Sequence, residues 1–174
     1  GSAYWMSENG FFNYDGQLRT LPSLVEDYVY STDAGPGINL IARDLVNCGL
    51  NNLFGEITWF YCSNSSQVVD RMVTYNYLDS STKQPIWTIG SLARTAWQDS
   101  AVFDKPHATY YTPTDNNSFD VIGNTDGTSI YYEHEKGTDE VNAGGVVTAI
   151  QANILSGDFD ITQRRSNTGQ VVGT

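Results

Sequence analysis

Between Gly55 and Gly90 the apolar and aromatic residues come in short runs parted by polar clusters. Glu56 to Cys62 (EITWFYC), Arg71 to Tyr77 (RMVTYNY) and Ile86 to Ile89 (IWTI) are rich in β-branched and aromatic side chains, which suit a pleated, half-buried surface. Ser63 to Ser66 and Asp79 to Lys83 lie between them. Connections this short cannot carry a parallel crossover, so the pattern predicts three strands of an antiparallel meander.

A hairpin is predicted upstream, from Ala3 to Met6, a turn over Ser7 to Gly10, then Phe11 to Tyr14, closed by Asp15-Gly16. Asn9-Gly10 and Asp15-Gly16 are expected to supply the positive φ that tight hairpin turns need. Leu21, Leu24, Val25, Tyr28 and Val29 follow Pro22 at helical spacing and predict one short helix or helical turn. Downstream, Ala108 to Tyr111, Phe119 to Ile122 and Thr128 to Glu133 read as strands, the last two joined by a turn ending in Asp126-Gly127. After a polar loop from Lys136 to Gly145, Val146 to Leu155 is apolar enough for a longer strand.

These elements predict an all-β fold of antiparallel meanders with at most one or two short helices. Trp59, Tyr61, Tyr75, Trp87 and Trp97 are its expected core aromatics. Tyr4-Trp5, Trp59-Phe60-Tyr61 and Tyr131-Tyr132 recur about 50 to 70 residues apart, compatible with irregular β-propeller blades of about 40 to 50 residues. Residues 1–162 are expected to form this propeller-like module, either a small propeller or an arc of a larger one. Residues 163–174 are expected to be a trailing edge strand or a partly ordered tail.

Composition narrows the function classes. Nine Lys and Arg against 20 Asp and Glu give a formal net charge of −11, which repels nucleic-acid phosphates and anionic membranes and argues against a sequence-reading DNA-binding protein. The same acidity serves solubility, or a conduit through which DNA slides without sticking. Arg71 and Arg94 are too few to offset that charge over a DNA footprint, so ion pairs with Asp70 and Asp99, or with another subunit, are expected of them. The two cysteines, Cys48 and Cys62, are too few for a disulfide scaffold and are expected to be reduced, Cys62 as a small buried hydrophobe. No apolar run is long enough to span a bilayer, and no signal peptide is read at the start, so a soluble protein is expected. Gly1-Ser2 running straight into Ala3-Tyr4-Trp5-Met6 reads as an abrupt cut.

The inventory for catalysis is thin, and no catalytic, cofactor-binding or metal residue is assigned. His107 and His134 have no nucleophile motif beside them. Glu133-His134-Glu135 has metal-ligating residue types, but on a strand the two glutamates point to one face and the histidine to the other. The loops Asp115 to Asp120 and Asn124 to Gly127 lack the acid pattern of a calcium loop and read as Asx-stabilised turns. Asp99, Asp104, Asp120, Asp158 and Asp160 could supply the carboxylate pair of a glycosidase, and read more simply as solvated loop acids.

One order of motifs is more specific. Tyr4-Trp5-Met6, Gly10-Phe11-Phe12, Tyr14-Asp15-Gly16, Leu21-Pro22 and Tyr28-Val29 are followed by Phe54 to Tyr61, Asp70 to Tyr77, Trp87 to Gly90, Leu92 to Trp97 and Tyr131 to Glu135. This series resembles a module in large tail proteins of short-tailed bacteriophages, the virion structural or packaged-DNA stabilisation proteins. The resemblance implies a C-terminal part of a longer tail hub or nozzle protein, found in the virion and assembled in the bacterial host cytoplasm. Together with the shortage of blades for a closed propeller and the thin inventory for catalysis, it leads to the expectation of a homo-oligomeric ring contacting neighbouring tail and portal-adaptor proteins, through which DNA passes without specific binding, and of no enzymatic activity. The alternative is a glycan-binding or glycan-cleaving β-propeller module for host-surface recognition, with Tyr110 or Tyr111 as stacking surfaces for sugar rings.

Overall fold

The computed structural model describes residues 1–32, 35–81, 83–100, 102–113, 127–141 and 146–149. The chain divides into two compact units, Gly1–Lys136 and Gly137–Thr174. The larger holds β1 (Ala3–Ser7), β2 (Gly10–Tyr14), β3 (Leu18–Thr20), the single-turn helix α1 (Glu26–Val29) and a short 3-10 helix over Leu40–Leu45. It continues with β4 (Asn47–Asn51), β5 (Glu56–Tyr61), β6 (Arg71–Asn76), β7 (Trp87–Gly90), β8 (Ala96–Gln98), β9 (His107–Pro113) and β10 (Gly127–Glu133). Its described sheets are antiparallel: β1-β2-β3, β4-β5-β6-β7 and β8-β9-β10, each in sequence order. The described part of the second unit pairs β11 (Asp139–Val141) with β12 (Val147–Ala149), so a strand occupies part of the expected polar loop. Among the described residues the fold is all-β with two short helices, and the described sheets do not close into a ring.

The central four-stranded sheet explains the arrangement. In β5 and β6 the register pairs Ile57 with Tyr75, Trp59 with Val73 and Phe60 with Met72. Successive side chains point to opposite faces, so Ile57, Trp59, Tyr61, Val73 and Tyr75 form one buried face. Phe60 belongs to a second core behind it, with Ala42, Cys62 and Val69. The first face is covered by β1–β3 and α1: Phe11, fully buried, lies 5.2 Å from the Trp59 ring and 4.7 Å from Trp87. The second face, where Met72 of β6 lies beside Phe60, is covered by Leu45, Leu92, Ala93 and Trp97. The sheet is thus sandwiched, apolar along its first face and around Phe60 on its second, where Thr58, Thr74, Asn47 and Asn51 share the face, and each fully buried large side chain contributes about 1.5–3 kcal/mol.

Several local expectations need correction. The first hairpin turns through Glu8 and Asn9, and neither Asn9 nor Gly10 has a positive φ. Ser7 Oγ braces the turn instead, donating to Asn9 Oδ1 at 3.2 Å and accepting from Asn9 N–H at 3.4 Å. Gly16 takes the expected left-handed conformation, with φ 111°. Trp87 and Trp97 are half-buried rather than closed off, because each indole N–H must reach a carbonyl: Pro22 O from Trp87 and Leu50 O from Trp97, both at 2.9 Å. The expected strand Phe119 to Ile122, the loops Asp115 to Asp120 and Asn124 to Asp126, most of Val146 to Leu155 and the tail 163–174 lie outside the described residues.

Candidate functional site

The densest polar chemistry in the described residues sits where β8–β10 covers β4 and β5. The close approach starts at Gly49. A Cβ there would lie 2.5 Å from Cδ2 of Trp97, so only glycine lets the indole rest on the strand. Around that contact the polar residues of β4 turn into anchors. Asn47 donates from Nδ2 to Arg94 O at 2.9 Å, and Asn51 from Nδ2 to Glu135 Oε1 at 3.1 Å. Their register places both on the same face as Gly49, beside Phe60 and Glu56.

Arg94, 7% exposed, is the charged centre of this seam. Its guanidinium carbon lies 3.8 Å over the Tyr132 ring, Nε donates to His134 Nε2 at 3.0 Å, and NH1 donates to Ala93 O at 2.6 Å. A weakly hydrated, planar guanidinium suits such a stacked, buried position. The His134 ring packs 4.6 Å from Trp97. Burial, with the Arg94 charge second, pushes the His134 pKa down to about 4. Burial and then the charge of Glu135 hold the Glu56 carboxyl above its usual range.

The residues singled out in the sequence are scattered. His107 makes its contacts with other residues than His134: its Nδ1 is hydrogen-bonded to Tyr131 Oη, and Phe103 packs 4.3 Å away. Glu133, His134 and Glu135 diverge, but not by strand alternation as expected. The strand ends at Glu133, which pairs with Lys136 Nζ at 2.6 Å, and Glu135 swings to Asn51 through a positive φ of 57°. Among the described residues no group of three or more His, Cys, Asp or Glu is placed to hold a metal ion.

Arg71 lies 3.9 Å from Asp70, the expected pair. Arg94 stacks on Tyr132 rather than pairing with Asp99, which accepts from the backbone N–H and side chain of Asn52. Asp120, Asp158 and Asp160 lie outside the described residues. Tyr110 and Tyr111 are half-buried, and the exposed tyrosine of that sheet is Tyr131. Both cysteines are free; Cys62 is buried among apolar groups that push its thiol up to about 12, while Cys48 is exposed.

A recess of about 410 Å³ opens between the edge strands β1 and β4, lined by Tyr4, Cys48, Leu50, Ile57 and Tyr77. No poised nucleophile and base meet in it. No helix among the described residues is long and apolar enough to cross a membrane. No protein-family model, curated protein or solved structure matches the chain.

Proposed function

We propose that the chain is a virion structural component of a short-tailed bacteriophage tail, a hub or nozzle module whose meanders are propeller blades. The observation that carries the reading is the contrast between the covered and uncovered faces of the stack. The middle meander is packed on both faces, whereas Trp5 (37% exposed) and Tyr14 (51%) remain on the outer face of the first and Tyr131 (62%) on the outer face of the third. Contiguous exposed aromatics mark surfaces meant for neighbours, and blades are covered on both faces by the blades beside them. The resemblance of the Tyr4-Trp5 to Glu135 motif series supplies the identity of the assembly.

In this reading the neighbours are further meanders of the same protein, and copies join by heterologous contacts into a closed ring. Net acidity keeps the DNA phosphates from adhering to the channel. Electron microscopy of the virion or full-length protein is the test. A ring below the portal that accommodates this chain supports the proposal, and density elsewhere, or a monomer with all partners present, overturns it. Tyr131 stacked on His107 at 5.4 Å favours a second reading, a glycan-binding surface. Retention on an array of host-surface polysaccharides, lost in Tyr131→Ala, would select it.

A further inference from the structure

One hydrogen bond in the seam between β4–β7 and β8–β10 dictates a protonation state. Arg94 Nε donates to His134 Nε2 at 3.0 Å. A guanidinium has no acceptor and keeps its protons in proteins, so Nε2 must offer its lone pair and the ring hydrogen must sit on Nδ1. A proton on Nε2 would remove the acceptor and set an imidazolium against a guanidinium that is 7% exposed. The ring has little room to retreat. Its own backbone N–H is held by Pro106 O at 2.9 Å, and Trp97 packs against it while tied to Leu50 O.

We infer that His134 is an acid-sensitive latch: neutral, it fastens the β8–β10 meander to the central sheet, and protonated, it releases that meander while the β1–β3 seam stays closed. The bond to Arg94 links the segment before β8 to the segment after β10, and the same two segments carry the anchors to β4, Asn47 on Arg94 O and Asn51 on Glu135. Breaking it loosens both ends of the meander at once. The first seam contains no histidine, and its contacts are apolar and aromatic apart from the Trp87 indole N–H on Pro22 O, which does not titrate.

The charged groups around the ring oppose one another. Arg94 and, from β9, His107 disfavour a second positive charge on it. Glu135 beside it carries the opposite sign but is engaged by Asn51, and Glu56 of β5, which acts on Glu135, is held above its usual range and so loses its charge early on acidification. Glu133 is paired with Lys136 on the outer side. The net result is a histidine pushed down from 6.5 to about 4, mainly by burial and then by Arg94. The sign follows: the unfolded or undocked ring takes its proton first, so the contribution of the latch is whole above pH 6.5 and is lost as the pH falls toward about 4.

The test is hydrogen exchange on the whole chain, comparing wild type with His134→Gln, whose amide oxygen accepts from Arg94 but does not titrate. Between neutral pH and about pH 4, wild-type protection in β8 and β9 should fall about tenfold or more beyond the change in intrinsic rate, with β5 and β6 unchanged. His134→Gln should hold its protection. Equal losses in the two proteins, or a loss spread evenly over all three sheets, overturn the latch. Should His134→Gln fail to fold, nitrogen NMR of the wild-type ring decides. An Nδ1–H tautomer with a midpoint near 4 supports the inference, and an Nε2–H tautomer or a midpoint near 6.5 overturns it.

Discussion

The two faces of the central sheet are covered by different chemistry. On one face Trp59, Tyr75 and Val73 meet Phe11, Leu21 and Val29, with the Phe11 ring centroid 5.2 Å from Trp59 and 4.7 Å from Trp87. On the other face a glycine, two asparagines, a buried arginine and a histidine surround Phe60 and Trp97. The first seam is apolar area, which is non-directional and tolerant of pH. The second depends on oriented donors and acceptors, each of which costs free energy if left unpaired. One sheet therefore presents a face built for cohesion and a face built for registry.

The largest expected effect tests the first seam. Phe11→Ala removes a ring that is fully buried among Tyr30, Trp59 and Trp87 and should cost about 3–5 kcal/mol in chemical denaturation. Trp59→Ala, 3% exposed, should fall in the same range. Losses below about 1 kcal/mol for both would mean that β1–β3 does not close over the central sheet, and the comparison would collapse.

The next effect is specific to the second seam. Gly49→Ala places a methyl 2.5 Å from the Trp97 indole without any change in φ demand, because Gly49 does not lie in the left-handed region. Overpacking of this kind should cost about 1–3 kcal/mol. A double-mutant cycle with Trp97→Leu should show coupling of about 1 kcal/mol or more, since the smaller side chain makes room for the methyl. Additive losses would place the indole elsewhere. Trp97→Phe is gentler: it keeps a ring over Gly49 but deletes the donor to Leu50 O, and about 0.5–1.5 kcal/mol should be lost, read from the denaturation midpoint.

The two seams also differ in how far the sequence announces them. Strands β5, β6 and β7 stand out because alternating aromatic and β-branched residues over Glu56–Tyr61, Arg71–Asn76 and Trp87–Gly90 leave little other use for them. The same holds for the Ala3–Tyr14 hairpin and the helical turn around Glu26–Val29. Strand β4 (NCGLN) gives no such signal. Asn and Gly are poor strand formers, and the segment is extended because β5 pairs with it and because Trp97 needs a residue without a Cβ. The 3-10 helix at Leu40–Leu45 is hidden for a similar reason, being started by the Asn39 side chain accepting from Ile41 N–H at 3.0 Å.

The polar seam was the least legible part. Arg94 and His134 are 40 residues apart and meet only because β8–β9–β10 brings the two ends of the meander together. Read from the sequence, Arg94 is expected to pair with Asp99 or with another subunit, and His134 to lie on the strand face opposite Glu133 and Glu135, so neither reading brings the two together. A buried cation with no adjacent acid in sequence was the available signal, and it points toward aromatic stacking as readily as toward an ion pair.

The smallest effect concerns Glu56, whose change carries the opposite sign. Its carboxyl faces the polar seam from β5, with burial and then the negative charge of Glu135 raising its pKa. A carboxyl raised in the folded state contributes most when protonated, and that contribution is lost as the pH rises through the folded pKa. At neutral pH the ionised group is therefore a small burden, and Glu56→Gln should stabilise the protein by no more than about 0.5 kcal/mol, because the side chain remains solvent-screened. The gain should shrink below the ordinary carboxylate value of 4.5, where the wild-type group is itself neutral. Titration of His134 over the same range occurs in both proteins and cancels in the difference, so the Glu56 profile separates the carboxylate from the latch. Denaturation midpoints of the two proteins between neutral pH and about pH 4 measure it. Destabilisation by Glu56→Gln at neutral pH would show that the carboxylate makes a favourable bond in the seam, and the polar face would then be better matched than its geometry implies.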